Sequence, residues 1–165
     1  MPTFHIAKNE GVADRNPSNG EPEAGRPGRG SLSLRQLWVT LASRKWTSLA
    51  VVPMAGLTSL PFAEALVEAA GHCGARAATV DASQCDLRGV ARVLQELAVS
   101  RPEGVRVVAA VDSVLLGLAA VQVALAADGV LLLVPYGHTD LDSVRAAIDA
   151  VGRDRILGCV TFRDR

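Results

Sequence analysis

The residues best suited to chemistry lie in one turn and at the ends of two apolar runs. The turn, residues 53–60, carries a glycine and two hydroxyls between an apolar run and a helical pattern. A turn that opens a helix in this way binds phosphate through its backbone N–H groups. Asp81 and Asp112 each follow an apolar run, and carboxylates beside such a turn hold Mg²⁺ and a water nucleophile. The predicted nucleotide and Mg²⁺ site comprises these loop and strand-end residues: Gly56, Thr58, Ser59, Asp81 and Asp112.

The acids at the strand ends have a second interpretation. Aspartate is a good N-cap residue, and Asp81, Asp112 and Asp140 all precede helical patterns. Capping and metal binding therefore remain two alternatives for these three carboxylates. A further combination, Ser59 with His138 and Asp112 as a hydrolytic triad, lacks the Gly-x-Ser-x-Gly turn that such a nucleophile needs.

The turn lacks the lysine that a phosphate-binding loop uses. The lysines of the chain are Lys8 and Lys45; the first lies near the N-terminus, and the second precedes the first long strand, at the wrong end of it. Removing one group that neutralises transition-state charge costs on the order of 3–4 kcal/mol in barrier. The absence of the lysine therefore argues against phosphate chemistry at this turn.

The elements that position these residues alternate between strand and helix patterns. Near-continuous apolar runs are typical of strands covered on both faces, and they predict strands at residues 48–52, 75–80, 105–111, 129–134 and 156–161. Helical spacing predicts helices at residues 33–44 (or from Ser31), 59–72, 86–99, 113–127 and 139–151. This alternation predicts an α/β fold, a three-layer parallel sheet of about five strands with helices on both faces.

The run at residues 114–127 is apolar nearly all round, with Leu115, Leu118 and Leu125 on it. It is too short to span a bilayer, and it predicts a buried core helix, with a protein-binding face as the alternative. No direct membrane span is expected from this run.

Composition limits the partners and the compartment. The 17 basic and 17 acidic residues give a net charge of zero, so neither nucleic acid nor an anionic membrane is expected as the main partner. The 3 cysteines have no CxxC spacing and predict reduced thiols in a cytoplasmic protein, without a structural metal. Residues 1–30 are rich in Gly, Pro and charge, which predicts a disordered tail before a domain at residues 31–165.

The order of these segments resembles the deviant Walker-type P-loop ATPases. The closest resemblance is to the cytoplasmic domain of bacterial tyrosine kinases that regulate capsular and exopolysaccharide export; ParA/MinD-like ATPases are related. Segments similar to the family's helix and strands lie at residues 34–41, 46–52, 74–82, 126–134 and 156–160. The resemblance implies a P-loop NTPase-like fold, with Asp81 at the acidic Walker A′ position.

Departures from the family pattern determine the functional hypothesis. Counted back from Asp81, the family's lysine falls at Ser59 and its metal-binding hydroxyl at Leu60 or Pro61. Of the family's N-terminal Glu-x-x-Arg-x-x-Arg oligomerisation motif, only Arg35 is kept, and the tyrosine-rich C-terminal cluster is missing. The site at Gly56, Thr58, Ser59, Asp81 and Asp112 is therefore interpreted as vestigial, with no cofactor expected to support turnover.

Two functions are compatible with this pattern. The first is a catalytically inactive, regulatory domain that binds another protein, either a polysaccharide-export component or a related ATPase. The second is a residual Mg-ATP-dependent ATPase or tyrosine kinase that a partner chain completes. The retained Asp81 and Asp112 are the observation that keeps the second alternative open.

Overall fold

A computed structural model describes residues 4–6, 33–99 and 104–162 of the chain. The strands are β1 (Phe4–Ile6), β2 (Ser48–Pro53), β3 (Ala77–Ala82), β4 (Arg106–Val111), β5 (Gly129–Pro135) and β6 (Ile156–Phe162). The helices are α1 (Leu34–Ala42), α2 (Leu60–His72), α3 (Val90–Val99), α4 (Leu118–Ala126) and α5 (Leu141–Val151). A single 3₁₀ turn, Arg153–Arg155, leads from α5 into β6.

The strands form one 6-stranded sheet in the order β1-β6-β5-β2-β4-β3. Strands β2 to β6 are parallel to one another, so their carboxyl ends meet at the same edge of the sheet. Strand β2 lies between β4 and β5, with Val51 level with both Ala110 and Leu131. The loop that follows β2 therefore emerges at the centre of the carboxyl edge, which is where ligands bind in open α/β sheets. This arrangement confirms the predicted three-layer α/β fold.

Two apolar clusters cover the two faces of the sheet. Alternate residues of a strand point to opposite faces; in β2, Ala50 and Val52 join the cluster under α3, α4 and α5. Leu49 and Val51 join the cluster under α1 and α2. All four side chains are fully buried, which explains why the central strands read as continuous apolar runs in the sequence.

Helix α1 is fixed to the sheet through a group of aromatic and cationic side chains. Its N-terminus carries a capping box between Ser33 and Gln36. The Trp38 and Trp46 rings meet edge to face with centroids 5.6 Å apart. The Arg106 guanidinium lies 5.7 Å from the Trp38 centroid and 4.7 Å from that of Trp46, and it donates to the Ala42 carbonyl at 3.1 Å. These contacts tie α1 to the amino end of β4.

The prediction of a disordered tail at residues 1–30 was wrong for three residues, which form strand β1. Phe4–Ile6 pairs antiparallel with β6, with His5 opposite Thr161. A strand of three residues is too short to show a recognisable apolar pattern in the sequence. It forms here by pairing with the edge of β6, which would otherwise be unpaired. The remainder of the predicted tail lies outside the described residues.

Two further predictions were wrong in detail. Strand β3 begins and ends two residues later than residues 75–80, and its side chains are mostly half-exposed, because it is an edge strand that is not covered on both faces. Helix α4 begins at Leu118, after a turn at residues 114–116. Leu115, Leu118 and Leu125 are 42%, 61% and 41% exposed, so the buried-helix interpretation fails for these three side chains.

Candidate functional site

The predicted site residues come from three adjacent strand ends. Gly56, Thr58 and Ser59 lie in the loop between β2 and α2, Asp81 is the next-to-last residue of β3, and Asp112 directly follows β4. Since β3 pairs with β4 and β4 pairs with β2, the fold brings all five to one edge of the sheet.

Ser59, predicted from the sequence to fall at the lysine position of a phosphate-binding loop, points into the protein. Its side chain is completely buried, and its hydroxyl donates to the carbonyl of Val111 at 2.5 Å. It is the N-cap residue of α2, but it makes no side-chain capping bond there. This hydrogen bond connects the loop to the end of β4.

The loop backbone forms a tight turn. Ala55 and Gly56 both have left-handed φ angles, 51° and 73°, and the N–H of Leu57 donates to the carbonyl of Met54 at 3.3 Å. Left-handed φ is easy for glycine and costs a residue such as Ala55 about 1 kcal/mol or more. One loop N–H is thus used within the turn, and Pro61 removes another from the first turn of α2. This backbone offers fewer donors to an anion than the sequence pattern suggested.

The two predicted metal-binding acids make local hydrogen bonds. The Asp81 carboxylate accepts from the backbone N–H and the hydroxyl of Ser83, at 3.0 and 2.7 Å. The Asp112 carboxylate accepts from the N–H of Ser113 at 2.8 Å. Within residues 33–99 and 104–162, no group of three or more His, Cys, Asp or Glu side chains is arranged to hold a metal ion. Both carboxylates are exposed, and each is used to order its own turn.

Asp140 caps a helix. Its carboxylate accepts from the N–H and the hydroxyl of Ser143, both at 2.7 Å, at the N-terminus of α5. These hydrogen bonds from Ser143, the hydroxyl first, lower the pKa of Asp140 below its ordinary value. The structure favours the capping alternative for this acid.

The carboxyl edge displays large apolar side chains. Leu116 and Leu118, after β4, are 79% and 61% exposed; Tyr136 and Leu141, after β5, are 61% and 73% exposed. These two segments lie on either side of the loop after β2. Exposed apolar side chains therefore occupy part of the edge at which open α/β sheets bind ligands.

The charges around these apolar residues are mostly negative. In the described part of the chain, the acids at this edge are Asp81, Asp86, Asp112, Asp140 and Asp142. The nearby cations are Arg88, Arg92 and Arg145; Arg92 lines the same pocket as Asp81, and Arg145 is paired with Asp142 at 3.3 Å. A surface of this sign repels a nucleotide triphosphate.

The residues that meet at this edge were predicted from the sequence, but the exposed apolar side chains there were not. The spacing of strand ends and acids predicted which residues converge. The exposure of Leu116, Tyr136 and Leu141 was not predicted, because an apolar residue in a turn or at the first position of a helix carries no periodicity that distinguishes a covered position from an open one. The available signal was their position in the segments that follow strand ends: Leu116 and Tyr136 lie in turns, and Leu141 is the first residue of α5.

Comparison with solved structures identifies the fold. The chain is similar to the crystal structure of the chimerical protein CapA2B2, with a TM-score of 0.58 over 83% of this chain and 85% of that one. The two sequences are 13% identical, so the similarity shows the fold alone. No protein-family model matches the sequence, and no curated protein matches it. The domain has a P-loop NTPase-like α/β fold. None of the helices in its described residues is long and apolar enough to cross a membrane.

Proposed function

We propose that this domain is a catalytically inactive P-loop ATPase-like module that acts by binding another protein. The observation that carries the proposal is the conformation of Ser59, whose hydroxyl is buried against the Val111 carbonyl where a catalytic lysine would face phosphate. Without that cation, phosphoryl transfer loses the electrostatic stabilisation on which it depends.

The surface of the same edge supports a binding role. Leu116 and Leu141 are among the most exposed large apolar side chains of the described residues. Exposed apolar side chains gathered at one edge are typical of protein interaction sites. A protein partner is therefore the ligand class that this edge fits best, and Asp81 and Asp112 belong to its rim.

The resemblance to capsular and exopolysaccharide tyrosine kinases suggests the cellular process in which the domain acts. On that basis the partner is a component of a polysaccharide-export machine or a related ATPase, and the domain regulates it from the cytoplasm. The similarity to the chimerical protein CapA2B2 is consistent with this setting through the fold that the two share.

One alternative keeps an enzymatic role. Asp81 and Asp112 are exposed at neighbouring strand ends, where they are accessible to Mg²⁺ if a partner chain supplies the missing cation. Such a completed site would act as an ATPase or a tyrosine kinase.

Steady-state ATP hydrolysis by the full chain, with the Asp112→Ala variant as control, tests the proposal. We expect the two proteins to hydrolyse ATP at the same background rate, because no group in the loop stabilises charge on the γ-phosphate. A rate clearly above that of Asp112→Ala would falsify the inactive-module proposal and favour the enzymatic alternative.

A further inference from the structure

The carboxyl edge combines an apolar centre with an acidic rim, and this combination specifies a partner. The centre consists of four exposed side chains: Leu116, Leu118, Tyr136 and Leu141. They follow β4 and β5, which are separated by β2 alone. Adjacent strands lie about 4.8 Å apart, so the ends of β4 and β5 are about 10 Å apart. An α-helix with its side chains is about 10–12 Å across, which is comparable to the separation of these two strand ends.

The two edges of the sheet differ in charge. Acids outnumber cations at the carboxyl edge, whereas cations outnumber acids at the opposite, amino edge. In the described residues the cations of the amino edge are Arg44, Lys45, Arg76, Arg106, Arg153 and Arg155. The acids at the amino edge are Asp128, which accepts from the N–H groups of Thr47 and Ser48, Asp154, and Glu96 and Asp149 in the last turns of α3 and α5. Since the whole chain has zero net charge, the negative potential at the carboxyl edge is a local property.

Two rim acids border the apolar centre; both are exposed, and Asp142 also pairs with Arg145 at 3.3 Å. Asp112 is exposed and follows β4 directly, next to the turn that carries Leu116. The Asp142 side chain is 91% exposed and is adjacent to Leu141. Exposed charges at an interface contribute orientation and association rate more than affinity, whereas the apolar centre contributes the buried area.

We infer that the carboxyl edge binds a cationic amphipathic segment of the partner protein, with its apolar face on Leu116 and Leu141 and its lysines or arginines against Asp112 and Asp142. This inference rests on the proposed protein-binding function and adds the chemistry of the partner. A second copy of the chain in a face-to-face arrangement is disfavoured, because it would bring two acidic rims together.

Fluorescence anisotropy with the full-length chain and three labelled peptides tests the inference. The first peptide is an 18-residue amphipathic Leu/Lys helix, the second is the same pattern with Glu in place of Lys, and the third replaces each Leu of the first by Gln. We expect the Leu/Lys peptide to bind at least tenfold more tightly than either of the others. Its affinity should fall severalfold as salt is raised, because the rim charges are exposed.

Matched variants locate the binding surface. Leu116→Gln with Leu141→Gln should weaken the Leu/Lys peptide about tenfold. Asp112→Asn with Asp142→Asn should weaken it about threefold or more and reduce the salt dependence. Val39→Gln with Val99→Gln is the control, since both valines are 59% exposed but lie on α1 and α3, away from the carboxyl edge. All six side chains are exposed, so the variants should fold as the wild type does.

The outcomes separate this inference from the proposed function. Equal binding of the Lys and Glu peptides, an equal loss in the Val39/Val99 control, or self-association of the chain that blocks the peptide would each overturn the inference while leaving an inactive protein-binding module in place. Displacement of the Leu/Lys peptide by Mg·ATP in the micromolar range would show instead that the edge is still a nucleotide site, which contradicts the proposed function itself.

Discussion

Replacing Ser59 by lysine tests whether the loop after β2 is an active phosphate loop that lacks one side chain or a structural turn. Ser59 is fully buried and its hydroxyl donates to the Val111 carbonyl. Removing that donor leaves a buried carbonyl without its partner, which costs about 1–3 kcal/mol. A buried ammonium adds about 1.4 kcal/mol for each unit by which its pKa is lowered, less whatever the lysine recovers by extending its tip to solvent.

We therefore expect Ser59→Lys to lower the free energy of unfolding by at least about 2 kcal/mol, which corresponds to a melting temperature lower by about 4–8 °C for a chain of this size. Urea unfolding and thermal melts measure the change. Thr58→Lys is the matched control, because Thr58 is the exposed neighbour and its substitution should change stability by about 0.5 kcal/mol or less. A Ser59→Lys protein that is as stable as wild type and binds Mg·ATP would refute the structural-turn account.

Three further predictions concern the scaffold. Arg106→Met removes contacts to two indole rings and a hydrogen bond, so urea unfolding should show a loss of about 1–2 kcal/mol; an unchanged midpoint would show that these contacts do not stabilise the fold. In alkylation followed by mass spectrometry at pH 8, exposed Cys73 should react well before Cys159, since burial raises the pKa of Cys159 to about 11; equal rates would contradict the burial of Cys159. The Ser143 hydrogen bonds lower the pKa of Asp140. The stabilisation of the folded state by the Asp140 carboxylate is therefore present above the ordinary pKa of aspartate and is lost as pH falls through the lowered value. The protection factors of the amides at the start of α5 should thus fall only in strongly acidic solution, and a fall at pH 5 to 6 would contradict this.

The central strands could be predicted from the sequence because they are buried on both faces. Leu49 to Val52 in β2 and Val107 to Val111 in β4 are fully or nearly fully buried, so these segments are apolar without interruption, and the predicted limits of both strands agree with the structure to within one residue. The strands at the two edges of the sheet were harder to predict from the sequence. Strand β3 is half-exposed, so its apolar run does not coincide with its hydrogen-bonded residues, and β1 exists through its pairing with β6.

The positions of the site residues were predictable, but their environments were not. Topology alone brings Gly56, Asp81 and Asp112 to the carboxyl edge. The Ser59 side chain points inward, and the turn that precedes it includes Ala55, a non-glycine residue with positive φ. Such a conformation follows from tertiary packing and has no local sequence signal.

The central claim is that the loop between β2 and α2 no longer binds nucleotide. Isothermal titration calorimetry of the full chain with a non-hydrolysable ATP analogue and Mg²⁺ tests it most directly. We expect no binding in the micromolar range, because Ser59 is buried, the loop has no lysine and the surrounding edge carries exposed apolar and acidic side chains. Binding with a Kd of about 10 μM or tighter, abolished by Asp112→Ala, would contradict it.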